Sequence, residues 1–150
     1  MRSRYALLTT AVCILMLLVS GLLNAQEPAE TSSSDGMLIH IKSGVDNPHA
    51  VLMGLSLAVK MAEDTDVLVF FSVKGIHHVL KNAEDLQYAD FKKSGELLDA
   101  LEEQGVELYA CPMCLRAEGY KPEDLRNGVG LMAKEQFFGF TDGRIVTLDF

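Results

Sequence analysis

The chain has 150 residues with 21 acidic and 13 basic side chains, and its formal net charge at pH 7 is −8. Such an acidic surface repels phosphate backbones, and the sequence has no basic run to offset it, so we expect no nucleic-acid partner. The length beyond residue 25 suits one domain with a hydrophobic core and is too short for two.

The first 25 residues have the pattern of a secretory signal peptide. Two arginines precede the apolar run Leu7–Leu23, and Ala25 ends a site of the kind that signal peptidase accepts. We therefore predict cleavage before Gln26 and a periplasmic or secreted protein. The alternative is an uncleaved anchor that holds the protein on the membrane facing the periplasm, because the apolar run is close to spanning length.

Residues 26–35 are rich in Ser, Glu, Thr and Pro and show no apolar periodicity. This composition predicts a disordered tether, which leaves residues 36–150 as the folded domain.

Apolar runs and helical periodicities alternate along this domain. The runs predict strands at Met37–Ile41, Val67–Phe71, Val106–Ala110, Val129–Met132 and Arg144–Phe150. The periodicities and caps predict helices or helical turns at Pro48–Glu63, Gly75–Leu80, Ser94–Gly105, Leu115–Gly119, Pro122–Leu125 and Ala133–Phe140, with Ser94 as an N-cap and Gly105 in the left-handed region. The alternation predicts a single doubly wound α/β domain, whose mainly parallel sheet of about five strands has helices on both faces.

Two cysteines, Cys111 and Cys114, follow the third predicted strand directly, and they are the only ones outside the signal segment. A pair this close in sequence closes too short a loop to hold a fold together. The spacing fits a redox couple, half of a zinc site, or a sulfur-handling nucleophile with a neighbouring thiol. The carboxyl ends of parallel strands share one edge of a sheet, so the pair is expected beside the loops Ser43–His49 and Ser72–His78.

The Cys111-Pro112 step favours Cys111 as the nucleophile. If Cys111 is an N-cap and Pro112 the first helical residue, the Cys111 sulfur faces unpaired N–H groups at the positive end of a helix, which favours the thiolate. Cys114 then lies one turn along, where it can resolve a disulfide or persulfide on Cys111. Arg116 adds positive charge nearby.

Asn47 and three histidines also fall on this predicted edge. Asn47 is expected to cap the first helix, whereas His49, His77 and His78 are candidate proton donors or metal ligands, with loop packing as the alternative. His40 lies within a strand, where we expect it to be hydrogen-bonded or at an edge. A zinc site would require two of these histidines to complete the single Cys-x-x-Cys.

The segment Gly105–Leu115, GVELYACPMCL, followed by Gly119, resembles the cysteine segment of the DsrE/DsrF/TusD-like superfamily of sulfur-relay proteins. Two further segments also resemble that superfamily: the early strand before Asp46-Asn47-Pro48 and the Phe70-Phe71 strand leading to Gly75. The resemblance therefore spans the whole domain. It implies a Rossmann-like or flavodoxin-like three-layer fold, trimers or hexamers, and a persulfide on the cysteine at the position of Cys111. The signal peptide departs from the cytoplasmic members that thiolate tRNA.

Three functions are therefore open. The first is a sulfur-handling or thiol-redox protein, a candidate sulfurtransferase or sulfur carrier, in which Cys111 carries sulfur and Cys114 resolves it. The second is a non-catalytic oligomeric binding module of extracytoplasmic sulfur metabolism, and the third is a metal-binding protein. The expected partner is a sulfur donor or acceptor protein or a small sulfane-sulfur compound, and no cofactor is predicted.

Three phenylalanines near the carboxyl terminus, Phe137, Phe138 and Phe140, are predicted to lie in the core. A subunit contact is the alternative for them.

Overall fold

The computed structural model describes residues 35–150. The predicted signal peptide and all of the predicted tether except Asp35 lie outside these residues. Within the described part, no helix combines the length and apolar character needed to cross a membrane.

Strands and helices alternate along the described chain. The strands are β1 (Gly36–Ile41), β2 (Asp66–Phe71), β3 (Glu107–Ala110), β4 (Val129–Leu131) and β5 (Ile145–Asp149). The α-helices are α1 (Pro48–Met61), α2 (Ser94–Glu103), α3 (Pro112–Ala117) and α4 (Lys134–Phe140), and two 3₁₀ helices cover Val73–Val79 and Pro122–Asp124.

All five strands form one parallel sheet in the order β4-β3-β2-β1-β5. Ile39 of β1 pairs with Val69 of β2 on one side and with Leu148 of β5 on the other. The predicted α/β three-layer architecture is confirmed. Its carboxyl edge gathers the chain segments that leave β1, β2 and β3.

The core lies where α1 and α2 cover one face of the sheet. Ile39, Ile41 and Phe71 on that face are fully buried, as are Val51 and Leu55 on α1. Full burial of an aliphatic or aromatic side chain is worth about 1.5–3 kcal/mol. This layer therefore fixes the ends of β1 and β2, on which the carboxyl edge is built.

Ser94 does not cap α2, contrary to the prediction. The helix begins at Ser94 itself, with Lys93 at the N-cap position. The Ser94 hydroxyl accepts a hydrogen bond from the Leu86 N–H at 2.8 Å and donates one to Asp85 Oδ1 at 3.2 Å. Partners from the preceding loop thus replace the local cap, because Ser94 is buried against that loop.

The prediction that the three carboxyl-terminal phenylalanines are core residues is wrong for two of them. Phe138 is 61% exposed and Phe137 is 38% exposed. Phe140 packs beside Gly36, where a Cβ atom would approach the Phe140 ring to 2.9 Å. The Phe140 end of α4 packs on β1, whereas the rings of Phe137 and Phe138 face outward.

Candidate thiol site

Backbone hydrogen bonds extend the sheet beyond the last paired residues of β1, β2 and β3. The Ser72 N–H donates to the Ile41 carbonyl at 3.0 Å, and the Cys111 N–H donates to the Phe71 carbonyl at 2.8 Å. Cys111 is therefore held by the strand ladder and not by a free loop. The residues that follow β2 and β3 lie side by side at the carboxyl edge.

Cys111 is the N-cap of α3 and Pro112 is its first residue, as the sequence led us to expect. The Cys111 Sγ accepts a hydrogen bond from the Cys114 N–H at 3.4 Å. This N–H is one of the groups at a helix start that have no partner within the helix. The sulfur thus occupies the position of a capping oxygen, where a negative charge is stabilised.

The two thiols differ in their surroundings. Burial raises the pKa of the Cys114 thiol, and its hydrogen bond to the Cys111 sulfur raises that pKa further. The backbone N–H of Val73 opposes this by lowering the pKa of Cys114. Cys114 therefore keeps its proton at neutral pH and donates it toward the Cys111 sulfur.

Val73 holds its N–H beside Cys114 through an unusual backbone conformation. Its φ angle is +51°, in the left-handed region that a β-branched residue rarely adopts. Such a conformation costs about 1–3 kcal/mol, and it persists only where the surrounding structure imposes it. Strain is thus stored at the contact between the chain after β2 and the cysteine pair.

An ionic cluster ties the first 3₁₀ helix to the residue that ends α3. Lys74 Nζ donates to both carboxylate oxygens of Glu118, at 2.9 and 3.0 Å, and His77 Nε2 lies 3.3 Å from Glu118 Oε2. The hydrogen bond from Lys74, followed by the charges of Lys74 and His77, lowers the pKa of Glu118. The sequence pointed to His77 but did not point to Lys74 or Glu118. Glu118 could have been considered, because it lies one helical turn after Cys114.

His78 is buried behind this cluster. Its Nε2–H donates to the Ser43 carbonyl at 3.0 Å, which fixes the tautomer because a carbonyl oxygen only accepts. Burial lowers the pKa of His78, so the ring is neutral at physiological pH. We interpret its role as linking the loops after β1 and β2.

The structure does not bring the remaining predicted residues to the thiols. Asn47 Oδ1 accepts from the Ala50 N–H at 3.4 Å and so caps α1. The His49 ring stacks on Tyr88, with 4.8 Å between ring centroids. Arg116 is exposed in the last turn of α3, at the end opposite Cys111. Within residues 35–150, no three His, Cys, Asp or Glu side chains converge as a metal site would require.

A family model described as the DsrE/DsrF-like family matches residues 37–142. The chain belongs to the DsrE/DsrF-like family. Membership indicates a function of the sulfur-relay type, and it confirms the resemblance seen in the cysteine segment. No curated protein matches the chain significantly.

Two solved structures share the fold. The YchN protein from E. coli superimposes with a TM-score of 0.60 at 16% identity, covering 78% of this chain and 98% of its own. MTH1491 from Methanobacterium thermoautotrophicum, described as a protein of unknown function, gives a TM-score of 0.57 at 21% identity, with 77% and 99% covered. Both comparisons show the architecture alone.

Proposed function

We propose that this DsrE/DsrF-like protein is a sulfur carrier in which Cys111 holds a sulfane sulfur as a persulfide and Cys114 resolves it. The observation that carries the proposal is the capped Cys111 sulfur, which accepts the Cys114 N–H at 3.4 Å. The raised pKa of the Cys114 thiol supports the division of roles. Persulfide formation needs a thiolate that attacks, and its resolution within the chain needs a second thiol.

The first step forms one sulfur–sulfur bond and breaks another. The Cys111 thiolate attacks the outer sulfur of a donor persulfide, R–S–SH, and the donor leaves as the thiolate R–S⁻. In the second step Cys114 loses its proton and attacks the inner sulfur of the persulfide. A Cys111–Cys114 disulfide forms and hydrosulfide leaves with that proton, after which an external dithiol resets the pair.

The surface around the pair is compatible with a macromolecular donor or acceptor. Both cysteines are half-buried, and Met113 between them is 70% exposed. An exposed methionine gives an adaptable apolar contact next to the reacting sulfur. The proposed partner is a sulfur donor or acceptor protein, or a small sulfane-sulfur compound, outside the cytoplasm, in accord with the predicted signal peptide.

Intact-mass measurement tests the proposal. The reduced protein is incubated with a persulfide or polysulfide donor, and each carried sulfur adds about 32 Da. We expect the adduct on the wild type, its loss in Cys111→Ser, and its accumulation in Cys114→Ser, because that variant cannot resolve. An unmodified wild-type mass with a donor that modifies a control thiol would contradict the proposal.

A further inference from the structure

Three polar side chains at the ends of β1, β2 and β5 form a hydrogen-bonded row outside the thiol site. His40 Nε2 lies 2.7 Å from Ser72 Oγ, and His40 Nδ1 lies 2.7 Å from Asp149 Oδ1. His40 and Asp149 are paired across β1 and β5, and Ser72 follows β2 directly. Two neighbouring strands and the residue that follows a third therefore supply the row, and the β1–β5 register places His40 beside Asp149.

The charge of Asp149 determines which atom donates in each of these two hydrogen bonds. Lys42 Nζ is 3.1 Å from the Asp149 carboxylate and, as the largest cause, lowers the pKa of Asp149, so this group is ionised and only accepts. His40 Nδ1 must then carry the ring proton. Since burial lowers the pKa of His40, the ring is neutral and its Nε2 is an acceptor. The Ser72 hydroxyl therefore donates to His40, which is the polarity of a serine activated by a general base.

We propose that Ser72, His40 and Asp149 form a serine-nucleophile site that takes short-chain acyl esters. Ser72 Oγ attacks the ester carbonyl carbon while its proton passes to His40 Nε2. The alcohol leaves with that proton, and water then hydrolyses the acyl-serine. Asp149 touches neither the substrate nor the leaving group, and acts by holding the His40 ring.

The backbone around Ser72 supports a role for the hydroxyl beyond the local fold. Ser72 precedes the 3₁₀ helix at its N-cap position, but its side chain makes no capping hydrogen bond. Its N–H and carbonyl are both committed, to Ile41 and Gly75, so the residue is rigidly placed. The residue is only 6% exposed, so we expect only small acyl groups to reach its hydroxyl.

Covalent labelling with diisopropyl fluorophosphate tests this site on the whole protein. Trypsin releases Ser72 in the peptide Met61–Lys74 and Ser94 in the peptide Ser94–Arg116, so one digest reads both residues. Ser94 is a matched control, because it is also buried and bonded to a carboxylate, Asp85, but has no histidine partner among its hydrogen bonds. We expect the phosphoryl adduct on Ser72 and none on Ser94.

Two variants test whether His40 and Asp149 activate Ser72 or whether the exposure of Ser72 alone explains its labelling. His40→Gln keeps polar atoms near Ser72 but removes the base, and we expect it to slow labelling about 100-fold while circular dichroism stays unchanged. Asp149→Asn is expected to slow labelling and to be partly rescued at higher pH. Absence of a Ser72 adduct on the wild type, or equal labelling of Ser72 and Ser94, would overturn the proposal. So would undiminished labelling of folded His40→Gln.

Turnover of p-nitrophenyl acetate gives the catalytic readout. The rate is taken as the excess of the wild type over Ser72→Ala, since thiol acylation contributes equally to both proteins. We expect a positive difference for the acetate that shrinks for longer acyl chains. A zero difference for the acetate would refute the acyl-ester assignment.

Discussion

At the scale of single residues, the site depends on two thiols with different environments. Cys111 caps a helix, whereas burial raises the pKa of Cys114. With limiting iodoacetamide at neutral pH, we expect Cys111 to be alkylated at least several-fold faster than Cys114, because only the thiolate reacts. Mass mapping of the peptide Ser94–Arg116 measures the order. In urea-denatured protein the preference should vanish, and faster reaction of Cys114 in the folded state would contradict the assignment.

Two histidines, one buried and one half-buried, make the free energy of unfolding depend on pH. Burial lowers the pKa of His78 and of His40, so the folded state takes up protons less readily than the unfolded chain. The unfolded state therefore binds more protons as pH falls below about 6.5, and the free energy of unfolding decreases between about pH 7 and pH 5. The carboxylates of Glu118 and Asp149 change the free energy of unfolding only at lower pH. Hydrogen bonds from lysines lower the pKa of both groups.

His78→Gln isolates one contribution to this dependence. The amide can still donate to the Ser43 carbonyl but does not titrate. We expect a weaker fall in unfolding free energy between the same two pH values, measured by urea denaturation. An unchanged slope in a folded variant would show that His78 does not link protonation to unfolding.

At the scale of secondary-structure elements, the first 3₁₀ helix lies directly against the end of β1. A Cβ atom on Gly75 would overlap the backbone carbonyl of Ile41, and backbone cannot yield as a side chain does. We expect Gly75→Ala to cost about 2 kcal/mol or more in unfolding free energy. It should also speed alkylation of Cys114, because Val73 lies in the same helix.

Gly139→Ala is the matched control for this substitution. Gly139 lies within α4, and a Cβ atom there would have no neighbour within 4 Å. Alanine should be neutral or favourable by up to about 1 kcal/mol, as expected for a helical glycine. Urea denaturation measures both variants, and equal losses of stability would contradict the packing argument.

The strands and helices were predictable because their signals are local. Continuous apolar runs mark buried parallel strands, and the Cys111-Pro112 step marks the start of α3. The partners of polar side chains were not predictable, since they depend on register between distant strands. Nothing local indicates that Ser94 bonds to Asp85, or that His40 meets Asp149 across the sheet.

At the scale of the whole molecule, we propose that the protein assembles into trimers or hexamers. Phe138 and Val146 are large apolar side chains, 61% and 56% exposed, in the last helix and last strand. Light scattering after size exclusion should give an assembly for the wild type, and Phe138→Glu should dissociate it if this surface is the contact.

Val45→Glu is the control for the assembly test. Val45 is 47% exposed, but it lies in the loop after β1 and not on the carboxyl-terminal elements. We expect this variant to keep the wild-type mass. A wild-type monomer at micromolar concentration would contradict the proposed assembly. Exposure of these side chains could not be read from sequence, because α4 has too little periodicity to show which face is buried.

The most direct test of the account is to locate the carried sulfur. After reaction with a persulfide donor and capping of free thiols, fragmentation of the peptide Ser94–Arg116 distinguishes Cys111 from Cys114. The capped helix start predicts the added sulfur on Cys111, most abundantly in Cys114→Ser. Sulfur found on Cys114 alone, or on neither cysteine with a competent donor, would contradict the central claim.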